Sequence, residues 1–281
     1  MRATTPPRDR DLVHMRGPLA GSTRSRDPAT VPVGSWPNKG QGEEMSERGA
    51  DVTKVIAHRG ASVAHPENTL AAFRGAVEMG ADGVELDVRR TADGGGAVIH
   101  DPHLPDGRLV VELTADDLPA EVPQLAAALE ACGPLEVNVE IKNWRTDPDH
   151  DESCALAPLV VDAIRLAGVV ERTIVSSFDL ATIDRVHELE LAVRTAWLVV
   201  DHPEPARLVE RAASRGHAGL HPVARMVDAD LVAAAHARGM FLNVWTVDDP
   251  DEIRRLADLG VDGIVTNVPD LARRALGSSA T

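Results

Sequence analysis

Tyrosine is absent from this chain of 281 residues, and three Phe and four Trp leave the aromatic share at 2%. Surfaces that work on lipid lean on interfacial aromatics and basic amphipathic helices, so the scarcity of both disfavours a membrane-lipid substrate. Cysteine occurs only at Cys132 and Cys154, too few for a disulfide framework or a cysteine zinc site. No stretch approaches the roughly 18 consecutive apolar residues of a membrane span, and stable membrane insertion is not expected. Basic side chains are outnumbered by acidic ones, 29 to 44, for a net charge of −15, which argues against nonspecific binding to nucleic acid or an anionic membrane. Arg, Asp and Pro interrupt every apolar run in the first 30 residues, so no signal-peptide core is expected and the cytoplasm is the expected location. The 43% hydrophobic content excludes wholesale disorder. If the substrate is an anion, something local must reverse an acidic field.

Residues 1–50 differ from the rest. They carry a balance of +2 while the remainder carries −17, and they show no helical or strand period. The expectation is a disordered extension over 1–50 and one folded domain over 51–281. From Lys54 onward, short apolar runs alternate with Ala/Leu/Val-rich stretches of helical period. The runs predict strands at 54–57, 83–88, 97–100, 136–141, 172–177, 193–199, 218–220, 241–246 and 262–266. Helices are predicted near 68–79, 122–132, 153–167, 180–189, 204–215, 228–238, 249–259 and 269–276. Asn68 is expected to open the first of them, and Gly80, Gly133, Gly168, Gly216, Gly239 and Gly260 each follow one.

Such alternation implies a mainly parallel sheet. The 83–88 and 97–100 runs are joined by a turn far too short for a parallel crossover, which needs about a dozen residues. The second run is therefore the antiparallel return of a hairpin, leaving eight parallel strands. The fold class is α/β, a (β/α)8 TIM-type barrel with an extra antiparallel hairpin strand after strand 2. A doubly wound open sheet is the alternative.

A parallel strand covered on both faces should read as unbroken aliphatics, and several here do not. Glu85 and Asp87 lie two apart, as do Glu140 and Lys142, so each pair leaves one face of its strand. His58 ends the first strand and His100 the hairpin return. A turn centred near Asp93–Gly95 would bring His100 level with Asp87 or Val88. Singly these features suit hydrogen-bonded structural residues or a solvated face. Together they collect two His, three carboxylates, Arg59 and Lys142 at the strand ends where barrels build their active sites. Three buried carboxylates without counter-charge would be driven towards protonation. One bound divalent cation resolves this, and all-oxygen ligands favour Ca²⁺ or Mg²⁺ over zinc. That cation beside Arg59 and Lys142 makes a positive well suited to a phosphate oxygen. Two histidines off the metal could act as acid and base. The residues by themselves point to metal-assisted phosphoryl chemistry.

Those residues sit in blocks that resemble a known family. "AHRG" at 57–60, "PENTLAAF" at 66–73, "GADGVELDV" at 80–88, "VIHD" at 98–101, "VEIK" at 139–142, "VSSF" at 175–178, "VWTVDD" at 244–249 and "GVDGIVTNVPD" at 260–270 are similar to the glycerophosphodiester phosphodiesterases, in family order, from about Val55 to Leu276. The resemblance implies a TIM-type barrel that hydrolyses a small-molecule glycerophosphodiester to glycerol 3-phosphate and an alcohol with one divalent cation. It makes Glu85, Asp87 and Glu140 the metal ligands, His58 and His100 the acid/base pair, and Arg59 and Lys142 the phosphate-holding residues. In the family's mechanism one His activates the glycerol 2-hydroxyl, the other protonates the leaving alcohol, and water opens the cyclic phosphate; which does which stays open here.

Glu67 falls in the "PENT" block near the site, where Asn68 and Thr69 serve equally well as a helix cap. Trp245 and Phe178 end strands and are candidates to pack against glycerol or headgroup, with core packing the alternative. Asp101 either orients His100 or caps a turn. His65, His103 and His221 are expected in solvated loops. After "HDPHL" the chain reads "PDGRLVVELT" where many family members have an Arg-Thr-Thr-Gly-like stretch, so headgroup preference is open. A lysophospholipid or phosphoinositide diesterase on the same barrel, and a non-catalytic phosphodiester-binding module, are the alternative functions.

Overall fold

A computed structural model describes residues 53–202 and 204–277. The disorder expected over 1–50 lies outside the described residues. The elements run β1 (Lys54–His58), α1 (Leu70–Glu78), β2 (Gly83–Arg90), β3 (Gly96–Val98), α2 (Leu125–Ala131), β4 (Glu136–Ile141), α3 (Leu156–Ala167), β5 (Thr173–Ser177), α4 (Leu180–Leu189), β6 (Arg194–Val199), α5 (Pro205–Ala213), β7 (Gly219–Pro222), α6 (Ala229–His236), β8 (Phe241–Val244), α7 (Pro250–Asp258), β9 (Gly263–Thr266) and α8 (Pro269–Gly277). Strands β1, β2, β4, β5, β6, β7, β8 and β9 pair in parallel, each with its neighbour, and β9 closes onto β1. This is a closed eight-stranded parallel barrel, not an open sheet.

The ninth strand, β3, pairs antiparallel with the end of β2, Val88 opposite Val98. β1 covers the same edge of β2 only through Gly83–Glu85, so β3 takes the length of edge that β1 leaves free. Its loop spans residues 91–95 and centres on Asp93, tied by Gly95 N–H to Thr91 Oγ1 at 2.7 Å. A centre one residue later was expected, and the register shifts accordingly. Ile99 N–H donates to the Asp87 carbonyl at 3.0 Å, and His100 lies just beyond the strand.

Alternation divides each barrel strand between two environments. Val84, Leu86 and Val88 of β2 and Val137, Val139 and Ile141 of β4 face outward and pack with Phe73 of α1, Leu129 of α2 and Ile164 of α3. Leu220, Leu242, Val244 and Ile264 do the same on the other half, against Leu208, Leu231 and Ile253. Many of the inward residues are polar, among them Glu136, Asn138, Ser176 and Asn243. Lys54 and Arg194 both reach Glu136, at 3.1 and 2.7 Å, near the strand starts. A Cβ on Gly263 would lie 2.4 Å from Asn243 Oδ1 and 2.9 Å from an Ile56 carbon, so only glycine fits at that point of the lumen.

Four helix starts follow side-chain oxygens. Asp179, Asp228 and Asp249 accept from first-turn amides. For α1 the cap is Thr69, which accepts from Ala72 N–H at 3.2 Å, not Asn68. The strand containing His221 corrects another expectation. β7 extends to Pro222, so His221 is inside the barrel and 1% exposed, with its ring nitrogen 3.3 Å from Asn243 Nδ2. Burial lowers its pKa to about 3. Among the described residues no helix is long and apolar enough to cross a membrane.

Candidate active site

Parallel register places the charged strand residues side by side. His58 is level with Glu85 across β1 and β2, and Asp87 is level with Glu140 across β2 and β4. Glu85, Asp87 and Glu140 are 3%, 1% and 8% exposed, and each offers an oxygen within 4.8 Å of the others. Two cations lie against them. Lys142 Nζ is 2.7 Å from Glu140 Oε1 and 3.5 Å from Asp87 Oδ1. Arg59 Nε is 3.2 Å from Asp87 Oδ2.

The chain is bent to bring Arg59 and Asn68 there. Both have positive φ, 55° and 58°, an uncommon conformation for residues with a Cβ. Gly60 follows at φ 81°, where an added Cβ would lie 2.6 Å from the Ala72 backbone. In return the Arg59 amide donates to Glu85 Oε2 at 3.0 Å. Asn68 embraces Asp87: its Nδ2 donates to Oδ2 at 2.8 Å and its Oδ1 accepts the Asp87 amide at 3.2 Å. Glu67 stays half-exposed at the rim and pairs with Arg59 Nη1 at 2.8 Å. The asparagine of "PENT" thus touches the Asp87 carboxylate, while the glutamate pairs with the arginine.

Burial governs the ionisation of the trio. It pushes Glu85 well above the ordinary carboxylate range, reinforced by the charges of Asp87 and Glu140. Burial also raises Glu140 to about 6, against the pull of Lys142. Asp87 feels burial too, but Lys142, Arg59 and His100 together with the Asn68 hydrogen bond bring it below its usual value. Three carboxylates against Lys142 and Arg59 leave one negative charge when all are ionised. A divalent cation would turn that into one positive charge, the sign a phosphodiester needs. The donor set fits such an ion: all oxygen, converging, and with Glu85 Oε1 buried and lacking any hydrogen-bond partner.

The two histidines flank the trio differently. His58 Nε2 points at Glu85 Oε2, 3.9 Å away, and its Nδ1 lies 2.7 Å from Asn267 Oδ1. The Asn267 amide cannot be turned round, because its Nδ2 donates to the Asp248 carboxylate at 2.7 Å and carboxylates only accept. Its oxygen must therefore accept from His58 Nδ1–H, which leaves the Nε2 lone pair directed into the site. Burial, then the charge of Arg59, lowers the His58 pKa. His100 is a third exposed and its Nδ1 is 2.7 Å from Asp101 Oδ1, so Asp101 orients the ring.

Beyond Lys142 runs an aromatic wall. Lys142 Nζ is 5.8 Å from the Phe178 centroid. Phe178 meets Trp245 edge-on at 5.5 Å and Trp144 at 4.2 Å, and Trp245 Nε1 donates to the His221 carbonyl at 2.7 Å. Trp245 shares a cavity of about 20 Å³ with His58, Glu85 and Glu140. An open hollow of about 230 Å³ lies on the far side of Phe178, walled by Trp144 and Trp197. A larger groove of about 600 Å³ between α2 and α3 is mostly aliphatic and contains none of these groups. The charged cluster and the aromatic wall are at the barrel mouth.

The ten residues expected as metal ligands, acid/base pair or substrate contacts (His58, Arg59, Glu67, Glu85, Asp87, His100, Glu140, Lys142, Phe178 and Trp245) all lie at or beside this mouth. Trp144, Asn68, Asn267 and Asp248 were not assigned there. Asn267 and Asp248 are bound together only by the fold, though "VWTVDD" and "VTNVPD" are motif-rich segments.

Residues 58–271 match the family model described as the glycerophosphoryl diester phosphodiesterase family. A glycerophosphodiester phosphodiesterase of Caldanaerobacter subterraneus subsp. tengcongensis is 32% identical over 240 residues, 78% of this chain and 95% of that protein. Another from Bacillus altitudinis is 32% identical over 248 residues, 79% of this chain and 97% of the other. Among solved structures, one from Silicibacter pomeroyi DSS-3, named as a putative glycerophosphoryl diester phosphodiesterase, superposes with a TM-score of 0.73 at 28% identity, over 80% of this chain and 93% of that one.

Proposed function

The chain belongs to the glycerophosphoryl diester phosphodiesterase family, an enzyme family, and on that premise we propose that it hydrolyses glycerophosphodiesters to sn-glycerol 3-phosphate and an alcohol with one divalent cation, Ca²⁺ or Mg²⁺. The observation that carries this reading is the convergence of Glu85, Asp87 and Glu140 between His58 and His100. Glu85, Asp87 and Glu140 would hold the cation, which would supply positive charge beside a phosphoryl oxygen. Arg59 and Lys142 then complete a cationic rim around the phosphate, and Phe178 and Trp245 wall the carbon skeleton.

Each histidine takes a role from its partners. His58, uncharged and with Nε2 free, takes the proton from the glycerol 2-hydroxyl as that oxygen attacks phosphorus. His100, with Asp101 as counter-charge at 2.7 Å, gives its proton to the departing alcohol. The product of this half is a five-membered cyclic phosphate. Water opens it in the second half: His100, now neutral, takes the water proton, and His58 returns its proton to the 2-oxygen. Both residues finish as they began, and the small molecule leaves as glycerol 3-phosphate.

A coupled assay for glycerol 3-phosphate from glycerophosphocholine tests this. Activity should vanish with EDTA and return with Ca²⁺ or Mg²⁺. No release of glycerol 3-phosphate from glycerophosphocholine or glycerophosphoethanolamine with either ion would refute the reading, and release from a lysophospholipid or inositol diester instead would replace it.

A further inference from the structure

Arg89 has no part in the roles assigned above. It leaves β2 on the inner face two residues beyond Asp87, and is 2% exposed. Each nitrogen of its guanidinium is engaged. Nη1 donates to both oxygens of Asp149 at 2.8 Å, Nη2 to Asp147 at 2.9 Å, and Nε to the backbone carbonyl of His100 at 2.6 Å. A buried ion pair is weak evidence for stability, because desolvation offsets the attraction, and its better-attested use is to select one arrangement. The planar fork of arginine suits that use, since its donors hold fixed directions.

What the fork joins is specific. The ladder between β2 and β3 ends with Ile99 N–H on the Asp87 carbonyl, and the next carbonyl, that of His100, is held by Arg89. Asp147 and Asp149 belong to the segment between β4 and α3. That segment is pinned at its root by Asn143, whose amide bridges Asp151 N–H at 2.8 Å and the Asp151 carbonyl at 3.0 Å, and it carries Trp144 onto Phe178. We propose that Arg89 is a positioning residue: braced by Asp147 and Asp149, it fixes the backbone of His100 and so the place of that imidazole over the carboxylate trio. His100 and the loop bearing Trp144 move as one unit. The inference rests on the reading of His100 as the acid that protonates the leaving alcohol.

The test compares two diesters sharing the glycerol phosphate half, glycerophosphocholine and glycerol 3-(4-nitrophenyl phosphate). Choline leaves only with a proton; nitrophenolate leaves without one. In Arg89→Lys the charge is kept but a single ammonium cannot span three partners. Read as release of the leaving group in the first turnover, which reports the first half alone, choline release from glycerophosphocholine should slow by about 10²-fold, the effect of misplacing a catalytic group by roughly 1 Å. Nitrophenolate release in the first turnover should slow by less than about threefold, with KM and Ca²⁺ binding unchanged. Equal losses on both substrates, or no loss on either, would overturn the proposal. Should Arg89→Lys fail to fold, Asp147→Asn loosens the same fork while leaving Asp149 paired, and must show the same substrate selectivity in milder form; absence of selectivity overturns the proposal as well. His100→Ala, run beside them, separates the two claims. If that variant loses both substrates alike, the acid reading fails, and Arg89 is judged on the His100 imidazole resonances of Arg89→Lys, which must shift for the proposal to stand.

Discussion

Replacing Glu140 by Gln should stabilise the metal-free protein while destroying its response to metal. Burial holds the Glu140 carboxyl at about 6, up from 4.5, so the folded state disfavours its ionised form by about 2 kcal/mol. The sign follows from linkage. A raised carboxyl pKa contributes stability that is complete below 4.5 and lost as pH rises through about 6. At pH 7 the metal-free wild type therefore lacks about 2 kcal/mol that a neutral amide would retain, and relief of the repulsion on Glu85 adds in the same direction. For a domain of this size roughly 2–4 °C of melting temperature accompany each kcal/mol, so Glu140→Gln should melt about 4–8 °C above wild type at pH 7 in EDTA. At pH 4 the two should coincide. Wild type with Ca²⁺ at 100 times its dissociation constant gains about 2.7 kcal/mol, or roughly 5–11 °C, and Glu140→Gln should gain far less. Differential scanning calorimetry at both pH values, with EDTA and with Ca²⁺ or Mg²⁺, reads all four quantities. A metal-free Glu140→Gln less stable than wild type at pH 7 would refute the reasoning, showing that the Lys142 pair outweighs the burial of the carboxylate.

His58→Ala and His100→Ala should each lower turnover by at least about 10²-fold while calorimetric titration shows metal binding intact; loss of the metal in either would reassign that histidine. Asn267→Ala removes the acceptor that holds the His58 proton on Nδ1, so imidazole ¹⁵N shifts should show a mixture of tautomers and kcat should drop more than KM changes. His221→Gln should flatten the acid side of the stability curve. With its pKa held at about 3 by burial, the wild-type histidine contributes stability present above about pH 6.5 and lost towards pH 3, at most about 5 kcal/mol, and an unaltered acid limb in the variant would contradict this. Phe73→Ala, in a side chain 0% exposed, should cost about 3–5 kcal/mol by denaturant titration with the substrate KM unchanged.

The barrel was readable because its strands alternate so cleanly. Glu85 and Asp87 interrupt Val84, Leu86 and Val88, and that interruption located both the strand and the carboxylate cluster on its inner face. What escaped the sequence depends on partners remote along the chain. Arg89 meets Asp147 and Asp149 across some sixty positions, and Asn267 acquires a role only because β9 closes the barrel beside β1. His221 was misplaced for a local reason: Pro222 reads as a strand terminator, yet at the last strand position a missing N–H is tolerated, so the strand runs two residues further than expected. Asn68 was weighed as a helix cap because asparagine before a helix usually is one. Its left-handed backbone instead frees the side chain for Asp87, and Thr69 caps α1.

Each barrel strand is a partition with a stabilising side and a working side. Ile56, Ile174, Leu198 and Val265 fill parts of the lumen, but the large aliphatic clusters lie outside, between strands and helices. Inner residues such as Asn138, Ser176 and Asn243 are polar and already buried at low exposure. Change can therefore be distributed by parity along a strand. Odd positions of β2 can be altered to retune charge and substrate while even positions keep the cylinder closed, and the reverse holds on β4. A lineage, or a designer, could exchange the chemistry of this barrel residue by residue without first rebuilding what holds it shut.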